Sequence, residues 1–590
     1  MKLQYLTVQI VLRHIMEDRL MDIKIISGVF LVCAIIVFAG ILFCNHDFNT
    51  PPVNKATNNT TNNNITNTTP STSQLTLTVL PYNQLNSAPR PSSYSNPKSG
   101  PTPTPDSMDH IISLFDAYLT SNYDQSLIPG MAVVIVQNGK IIYMNTLGAK
   151  DLSSGEPVDE NTLFGICSIS KQFTSTNIAQ LVDKGLMGWE DPIAKYYRVP
   201  DEFLLYNDFY VSNNITIKDV LMHNSGLSRE LGNEYPTYFN DSFDEAIFKL
   251  RYVENATAFR STYAYNSLVY ALGGYCAAQA NNTTWNELIR ENLLDPLGMT
   301  TTTTSYVDFL NSSNHATPYK LLKNGTMVPY DIIPDPVGPA GSIYSSISEM
   351  ANWLEFQIAD TGYYEGVQIV SKKELDETRT PQINISDPTE SAMYGSEYGL
   401  GWFIHPEDEN LPYYISHPGD STDFHAQITI YPSQNLGIVI LTNGGVYANN
   451  FRSILDSKFR QLLIGNEDFD PWPATKNALD AVWKPESPSP PLVGSTLNLT
   501  GYVGVYSNMV CGNITITSSN DTLICNYGTN NQNFNLEHFN GDVFNEPYND
   551  FTFNFTDISN DKTNKLAVSL PDYTTYPSNS TTTFNRTNST

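Results

Sequence analysis

Ser168 and Lys171 are the residues whose types and spacing are best suited to chemistry. They stand in Phe164-Gly165-Ile166-Cys167-Ser168-Ile169-Ser170-Lys171-Gln172-Phe173-Thr174, a hydroxyl followed three positions later by an ammonium. On a helix, residues at i and i+3 share a face, so the amine can reach the serine oxygen. A serine hydroxyl is a poor nucleophile at neutral pH and needs a neighbour to handle its proton. Placed at the start of a helix, it also has the positive end of the dipole to favour a developing alkoxide. The chemistry on offer is acyl transfer through a serine nucleophile. A Ser-x-x-Lys string also arises by chance in a long chain, so the other segments decide its weight.

Those segments come in a definite order. Ile215-Thr216-Ile217-Lys218-Asp219-Val220-Leu221-Met222-His223-Asn224-Ser225-Gly226-Leu227 is followed by Tyr265-Asn266-Ser267, Asp295-Pro296-Leu297-Gly298-Met299, Pro339-Ala340-Gly341-Ser342-Ile343-Tyr344-Ser345 and His417-Pro418-Gly419. With the Ser168 phrase, they resemble the serine β-lactamase and penicillin-binding-protein superfamily over residues 105–465, in particular its class C, D-aminopeptidase and esterase-like branch. The resemblance implies Ser168 as nucleophile, Lys171 as the neighbour that handles its proton, and Tyr265 as general base. It puts His417 in the H-x-G version of the third motif, on an edge strand facing substrate. Gly419 would let substrate approach the backbone, and the N–H groups of Ser168 and Asp420 would form the oxyanion hole. Ser267 stands where the family's Y-x-N motif has Asn. A serine hydroxyl is shorter and has one donor where the amide has two, which puts amide-side-chain selectivity in question. His417 could be neutral or charged near pH 7, which would make activity pH-dependent. His223 reads as a structural histidine satisfied by nearby backbone.

The elements that must position these residues are legible in outline. Met131–Val136 and Lys140–Tyr143 read as a hairpin about Asn138-Gly139, and Ala426–Tyr431 with Gly437–Leu441 as a second one. Early and late strands around a helical middle imply one sheet built from both ends of the segment. The expected class is α+β: a β-lactamase/transpeptidase-like antiparallel sheet beside a helical lobe, with the site between them. A small C-terminal all-β domain, resembling the lipocalin-like appendage of this family in its "Y-x-G-x-Y" wording, is expected to follow.

The expected organisation is a cytoplasmic segment at 1–24, a transmembrane signal anchor at 25–44 and a disordered Asn/Thr/Pro-rich stalk at 45–105. A hydrolase domain at 106–484 has its core ending at about 465. A Pro-rich linker at 485–496, a β-barrel-like domain at 497–573 and a disordered tail at 574–590 complete the chain. The run from Ile25 to Cys44 carries no charge and matches the roughly 20 residues of a spanning helix. Lys2, Arg13, Arg19 and Lys24 precede it, which by the positive-inside rule leaves the bulk of the chain on the extracellular or lumenal side. A cleaved signal peptide is the competing reading; no A-x-A-like site follows the run, which favours an anchor. Sequons such as Asn58, Asn64, Asn214, Asn255 and Asn384 suit an exported, glycosylated surface.

The balance of 32 basic against 60 acidic residues, a net charge of -28, excludes nucleic acid as a natural partner and favours solubility. The six cysteines and nine histidines show no metal-ligand spacing, so no metal and no cofactor is expected. Cys511 and Cys525 are candidates for a cross-strand disulfide in an oxidising compartment. The expected function is hydrolysis of a small ester, peptide or lactam through an acyl-enzyme. The alternative is an inactive surface module that binds a ligand with the same fold.

Overall fold

The computed structural model describes residues 105–587 apart from 125, 198–202, 230–241, 323–325, 331–336, 409–410, 422, 483–492, 528–531, 547–550 and 570–580. The expected cytoplasmic segment, anchor and most of the stalk therefore lie outside the described residues, as does most of the Pro-rich linker. Among the described residues no helix is long and apolar enough to cross a membrane.

A nine-stranded antiparallel sheet organises the first domain. Its strands are β1 (Gly130–Gln137), β2 (Lys140–Asp151), β3 (Glu156–Pro157), β4 (Ile383–Asn384), β5 (Glu397–Tyr398), β6 (Phe403–His405), β7 (Tyr414–Asp420), β8 (Phe424–Tyr431) and β9 (Leu436–Asn443), in the spatial order β4-β5-β6-β7-β8-β9-β1-β2-β3. Asn138 and Gly139 turn β1 into β2 with φ of 52° and 69°, the doubly left-handed turn that this dipeptide favours. β9 returns late in the chain to pair with β1, so both ends of the domain do build one sheet.

Alternation along β1 shows why its apolar run is continuous. Ala132, Val134 and Val136 face one core, whereas Met131, Val133 and Ile135 face another. Successive side chains point to opposite faces, so a strand covered on both sides must be apolar throughout. One face is covered by α1 (Pro105–Tyr123), through Met108, Ile111, Phe115 and Leu119, and by α6 (Val446–Leu463), through Phe451, Ile454, Leu455 and Phe459. The other is covered by α4 (Ile347–Ala359), whose Trp353 stacks on Phe173 of α2 (Ser170–Asp183) at 3.7 Å. α7 (Trp472–Val482) adds Trp472 and Leu479 to the first of these cores, so the core continues past the expected limit of about 465.

The helical lobe has its own core around α3 (Ser267–Ala280), with Leu268, Val269, Leu272 and Cys276 packed against Val220 and Leu221. α2 is buried from Ser170 to Leu181 and forms the wall between the lobe and the sheet. A helix buried all round needs no amphipathic stripe, which is why its pattern is weak.

The second domain is a closed barrel of eight antiparallel strands, β10 (Gly504–Asn508) through β17 (Thr581–Arg586). Its interior is filled by Tyr502, Tyr506, Phe544, Phe553, Phe555 and Phe584. One expectation is corrected here and one open pairing is answered. Residues 581–586 are not disordered tail: β17 pairs with β16 (Lys562–Ser569) and with β10, closing the barrel. Burial of Phe584 and donation by the Arg586 guanidinium to the carbonyls of Gly501, Val503 and Thr563 hold this polar strand in place. Cys511 and Cys525 are not joined either: the register puts Ile516 opposite Cys525, and both thiols lie buried in the barrel. Val510 packs against both the barrel core and the core of the helical lobe.

Candidate active site

Ser168 sits in a 3-10 turn, Cys167–Ile169, that runs directly into α2. Cys167 takes a left-handed φ of 48°, a strained position of the kind that re-aims a neighbouring side chain at functional sites. Residues 162–167 and 169–181 are buried, while Ser168 alone in this run is part-exposed. Lys171 follows one turn on and is fully buried. Its Nζ donates to Ser168 Oγ at 3.1 Å, to Ser267 Oγ at 3.1 Å and to the Ala340 carbonyl at 2.9 Å. All three ammonium protons are therefore directed, as a buried charge requires.

Tyr265 reaches the same oxygen from the other lobe: its hydroxyl donates to Ser168 Oγ at 2.9 Å. Asn266 places it. The Asn266 side chain caps α3 by accepting from the Val269 N–H at 3.1 Å, and its own N–H donates to His223 Nδ1 at 3.0 Å. His223 packs against the Tyr265 ring with centroids 4.4 Å apart, and burial, then Lys171, holds its imidazole neutral. Burial also pushes the Tyr265 phenol well above its ordinary value, opposed by the Ser168 hydrogen bond and by Arg229. Ser267, at the first position of α3, takes one Lys171 proton, so the shorter side chain still reaches the lysine.

The third wall is β7. It pairs with β6 only at Tyr414–Ser416 among the described residues, so His417–Asp420 forms a local edge on that side although β7 lies inside the sheet. His417 differs from the expectation. Its Nδ1 lies 2.6 Å from the Pro418 carbonyl, which can only accept, so Nδ1 carries the proton and Nε2 accepts from Tyr398 OH at 3.1 Å. The ring is 1% exposed, and burial together with Lys171 pushes its pKa down to about 3. A histidine so placed stays neutral near pH 7, and the expected charge switch does not arise from it.

Asp420 turns its side chain away into an ionic cluster, accepting from His425 Nδ1 at 2.8 Å and lying 3.0 Å from Arg452 Nη2. Burial works to raise this carboxyl, but Arg452 and His425 together hold it below its ordinary value. The Asp420 side chain is therefore engaged behind the strand by His425 and Arg452.

The structure thus brings Ser168, Lys171, Tyr265 and Ser267 within hydrogen-bond reach of one another and sets His417 behind them. Three supporting groups could be given no role from the sequence alone. The Ala340 carbonyl holds Lys171, and its segment was visible only as wording without a role. Tyr270 donates to the Lys171 carbonyl at 2.7 Å and fixes that backbone. Gly274 lets α3 close on the segment bearing Ala340, because a Cβ there would stand 2.4 Å from Pro339 Cβ.

Residues 113–458 match the Beta-lactamase family, and the chain belongs to it. Residues 490–581 match a family described as a domain of unknown function, DUF3471. Protein flp of Staphylococcus aureus (strain NCTC 8325 / PS 47) is 26% identical over 329 residues, 56% of this chain and 62% of that protein. The match thus spans less than two thirds of the length of that relative. An Aspergillus campestris protein named unguisins hydrolase ungD' is 26% identical over 453 residues, 70% of this chain and 79% of its own length. The fold is shared with an octameric penicillin-binding protein homologue from Pyrococcus abyssi, with a TM-score of 0.52 at 20% identity over 78% of this chain and 99% of that one.

Proposed function

We propose that this protein is a serine hydrolase that acts through an acyl-enzyme on a small ester, peptide or lactam. The observation that carries the reading is the convergence of Lys171 Nζ and Tyr265 OH, at 3.1 and 2.9 Å, on the part-exposed Ser168 Oγ. The name of the Aspergillus relative, a hydrolase, supports the same reaction class.

In this reading Lys171 and Tyr265 handle the proton together. When the pair holds one proton fewer than an ammonium plus a phenol, it accepts the Ser168 proton as Oγ bonds to the substrate carbonyl carbon. The same proton passes to the leaving group as the scissile bond breaks. Water then attacks the acyl-serine by the reverse route and regenerates Ser168. The developing oxyanion is assigned to the backbone N–H groups of Ser168 and Asp420, beside the local edge of β7. Removing one such donor typically costs about 10²–10³ in rate. A non-catalytic binding module has no need of three directed hydrogen bonds on one buried lysine, so the geometry favours the enzyme.

The test is hydrolysis of p-nitrophenyl butyrate by wild type and Ser168→Ala, with intact masses taken after quenching. Turnover and an acyl adduct on wild type alone support the reading. Equal turnover by both proteins refutes it.

We also propose that the apolar run at 25–44 anchors the chain and leaves the catalytic domain outside the cytoplasm. The sequon residues Asn214, Asn255 and Asn384 are exposed, which supports this side assignment. Protection of the domain from external protease on intact cells would refute it.

A further inference from the structure

Tyr265 carries a second cation on its ring. Lys171 Nζ lies 4.7 Å from the ring centroid, and the guanidinium carbon of Arg229 lies 5.0 Å from it. Arg229 follows the Ser225-Gly226-Leu227 turn and belongs to none of the motifs singled out in the sequence. It is held from the far side: Nη1 donates to Glu390 Oε1 at 3.2 Å, and Glu390 is a mostly buried residue of α5 (Pro388–Tyr394). A guanidinium over an aromatic face is attracted by the ring, more so where water is excluded. The same positive charge stabilises any negative charge that develops on the phenol oxygen.

We propose that Arg229 is a positioning residue for acyl transfer: it fixes the Tyr265 ring so that the hydroxyl meets Ser168, and it eases proton loss from the Lys171–Tyr265 pair, with Glu390 holding it in place. This inference rests on the roles given above to Ser168 and Tyr265. The surroundings of Tyr265 agree with it. His223 and His417 are kept neutral by burial, and the phenols of Tyr263, Tyr270 and Tyr398 are kept protonated by burial. The nearby Asp420 carboxylate is paired with Arg452. Burial, and to a lesser degree Asp420, work against ionisation of the phenol; the Ser168 and Ser267 hydroxyls and the Arg229 charge oppose them.

The experiment measures kcat/KM for p-nitrophenyl butyrate from pH 5 to 10 with wild type, Arg229→Gln and Arg229→Lys. Gln keeps a donor for Glu390 but removes the charge, whereas Lys keeps the charge. Removing a positive charge favours the protonated pair, so the rising limb of Arg229→Gln should move about one unit toward alkaline pH. Below the limb its rate should fall at least about tenfold, and above it a smaller deficit should remain because the Tyr265 ring is no longer held. Arg229→Lys should hold its limb within about half a unit of wild type. An unmoved limb in Arg229→Gln, or an equal shift in both variants, overturns the proposal. If Arg229→Gln does not fold, a limb displaced in Arg229→Lys by more than that half unit overturns it, and one that stays put supports it. Intact mass separates the two levels. No acyl adduct on wild type removes the underlying reading and this proposal together, whereas an adduct with an unmoved limb removes the proposal alone.

Discussion

A Cβ on Gly419 would stand 2.1 Å from the carbonyl oxygen of Ile166, so β7 runs against the backbone of the turn that carries Ser168. No side chain fits between the two. The spacing between the Ser168 turn and the β7 edge is therefore set by backbone contact. Gly419→Ala must push the strand away from the turn, and overpacking of this kind costs roughly 1–3 kcal/mol. Its kcat/KM for p-nitrophenyl butyrate should fall at least about 100-fold, because the proposed oxyanion donors, the Ser168 and Asp420 N–H groups, belong one to each side of the gap. Calorimetry would show a modest loss of Tm. A rate within threefold of wild type would contradict the assignment of that gap to substrate.

Removing the lysine amine tests the centre of the site. Lys171→Met keeps the buried volume but leaves the Ala340 carbonyl without the Lys171 donor. Turnover should drop by about 10³ or more, with a stability loss of about 1–3 kcal/mol from the stranded acceptor. Ser267→Ala removes only one of the three lysine partners and should cost about tenfold in kcat. Steady-state kinetics on folded protein separates the two.

Two buried groups give opposite pH signatures in stability. Burial pushes the Asp423 carboxyl up to about 7, well above its unfolded value. The native state therefore holds a proton that the unfolded chain has released, and stability falls as pH rises from about 4 to 7. Asp423→Asn removes this loss. Its Tm should exceed that of wild type at pH 8 by several degrees and match it near pH 4.

His417 has the reverse sign. Its folded pKa of about 3 lies below the unfolded value, so its contribution is present at neutral pH and lost as pH falls from about 6.5 toward 3. Histidine-selective NMR should show no titration of His417 between pH 5 and 8. A midpoint in that interval would restore the charge switch that the sequence had suggested.

The barrel makes its own prediction. Phe584 is fully buried on the last strand, and Phe584→Ala should destabilise the barrel by about 3–5 kcal/mol. Unfolding of the barrel in calorimetry should move to lower temperature, while hydrolysis of p-nitrophenyl butyrate should stay within about twofold of wild type, because Phe584 packs in the barrel core and Ser168 lies in the other domain.

What the sequence revealed follows from where each signal resides. Local signals were readable: the Asn138-Gly139 turn, the unbroken apolar run of β1, and the i, i+3 relation of Ser168 to Lys171. The strand Thr581–Arg586 was missed because five of its six residues are polar, and its stability comes from one phenylalanine and from hydrogen bonds to distant carbonyls. The state of His417 was missed for a related reason. Its identity suggests a titratable group, but the depth of burial and Lys171 decide its charge, and neither is encoded nearby. Arg229 bears on Tyr265 only through tertiary packing, so no spacing announces it.

The pairing of β1 with β9 bears on how the molecule is made. The Gly130 N–H donates to the Asn443 side chain at 2.6 Å across a sequence separation of 313 residues. A nascent chain emerging from the ribosome exposes β1, one of the most apolar stretches of the domain, long before its partner has been synthesised. Such non-local pairing slows folding and prolongs the interval in which an apolar strand is open to aggregation. During that interval Ser168 and Lys171 already exist but face no β7. The proposed site is therefore completed late, and a chain truncated before residue 414 should be catalytically silent.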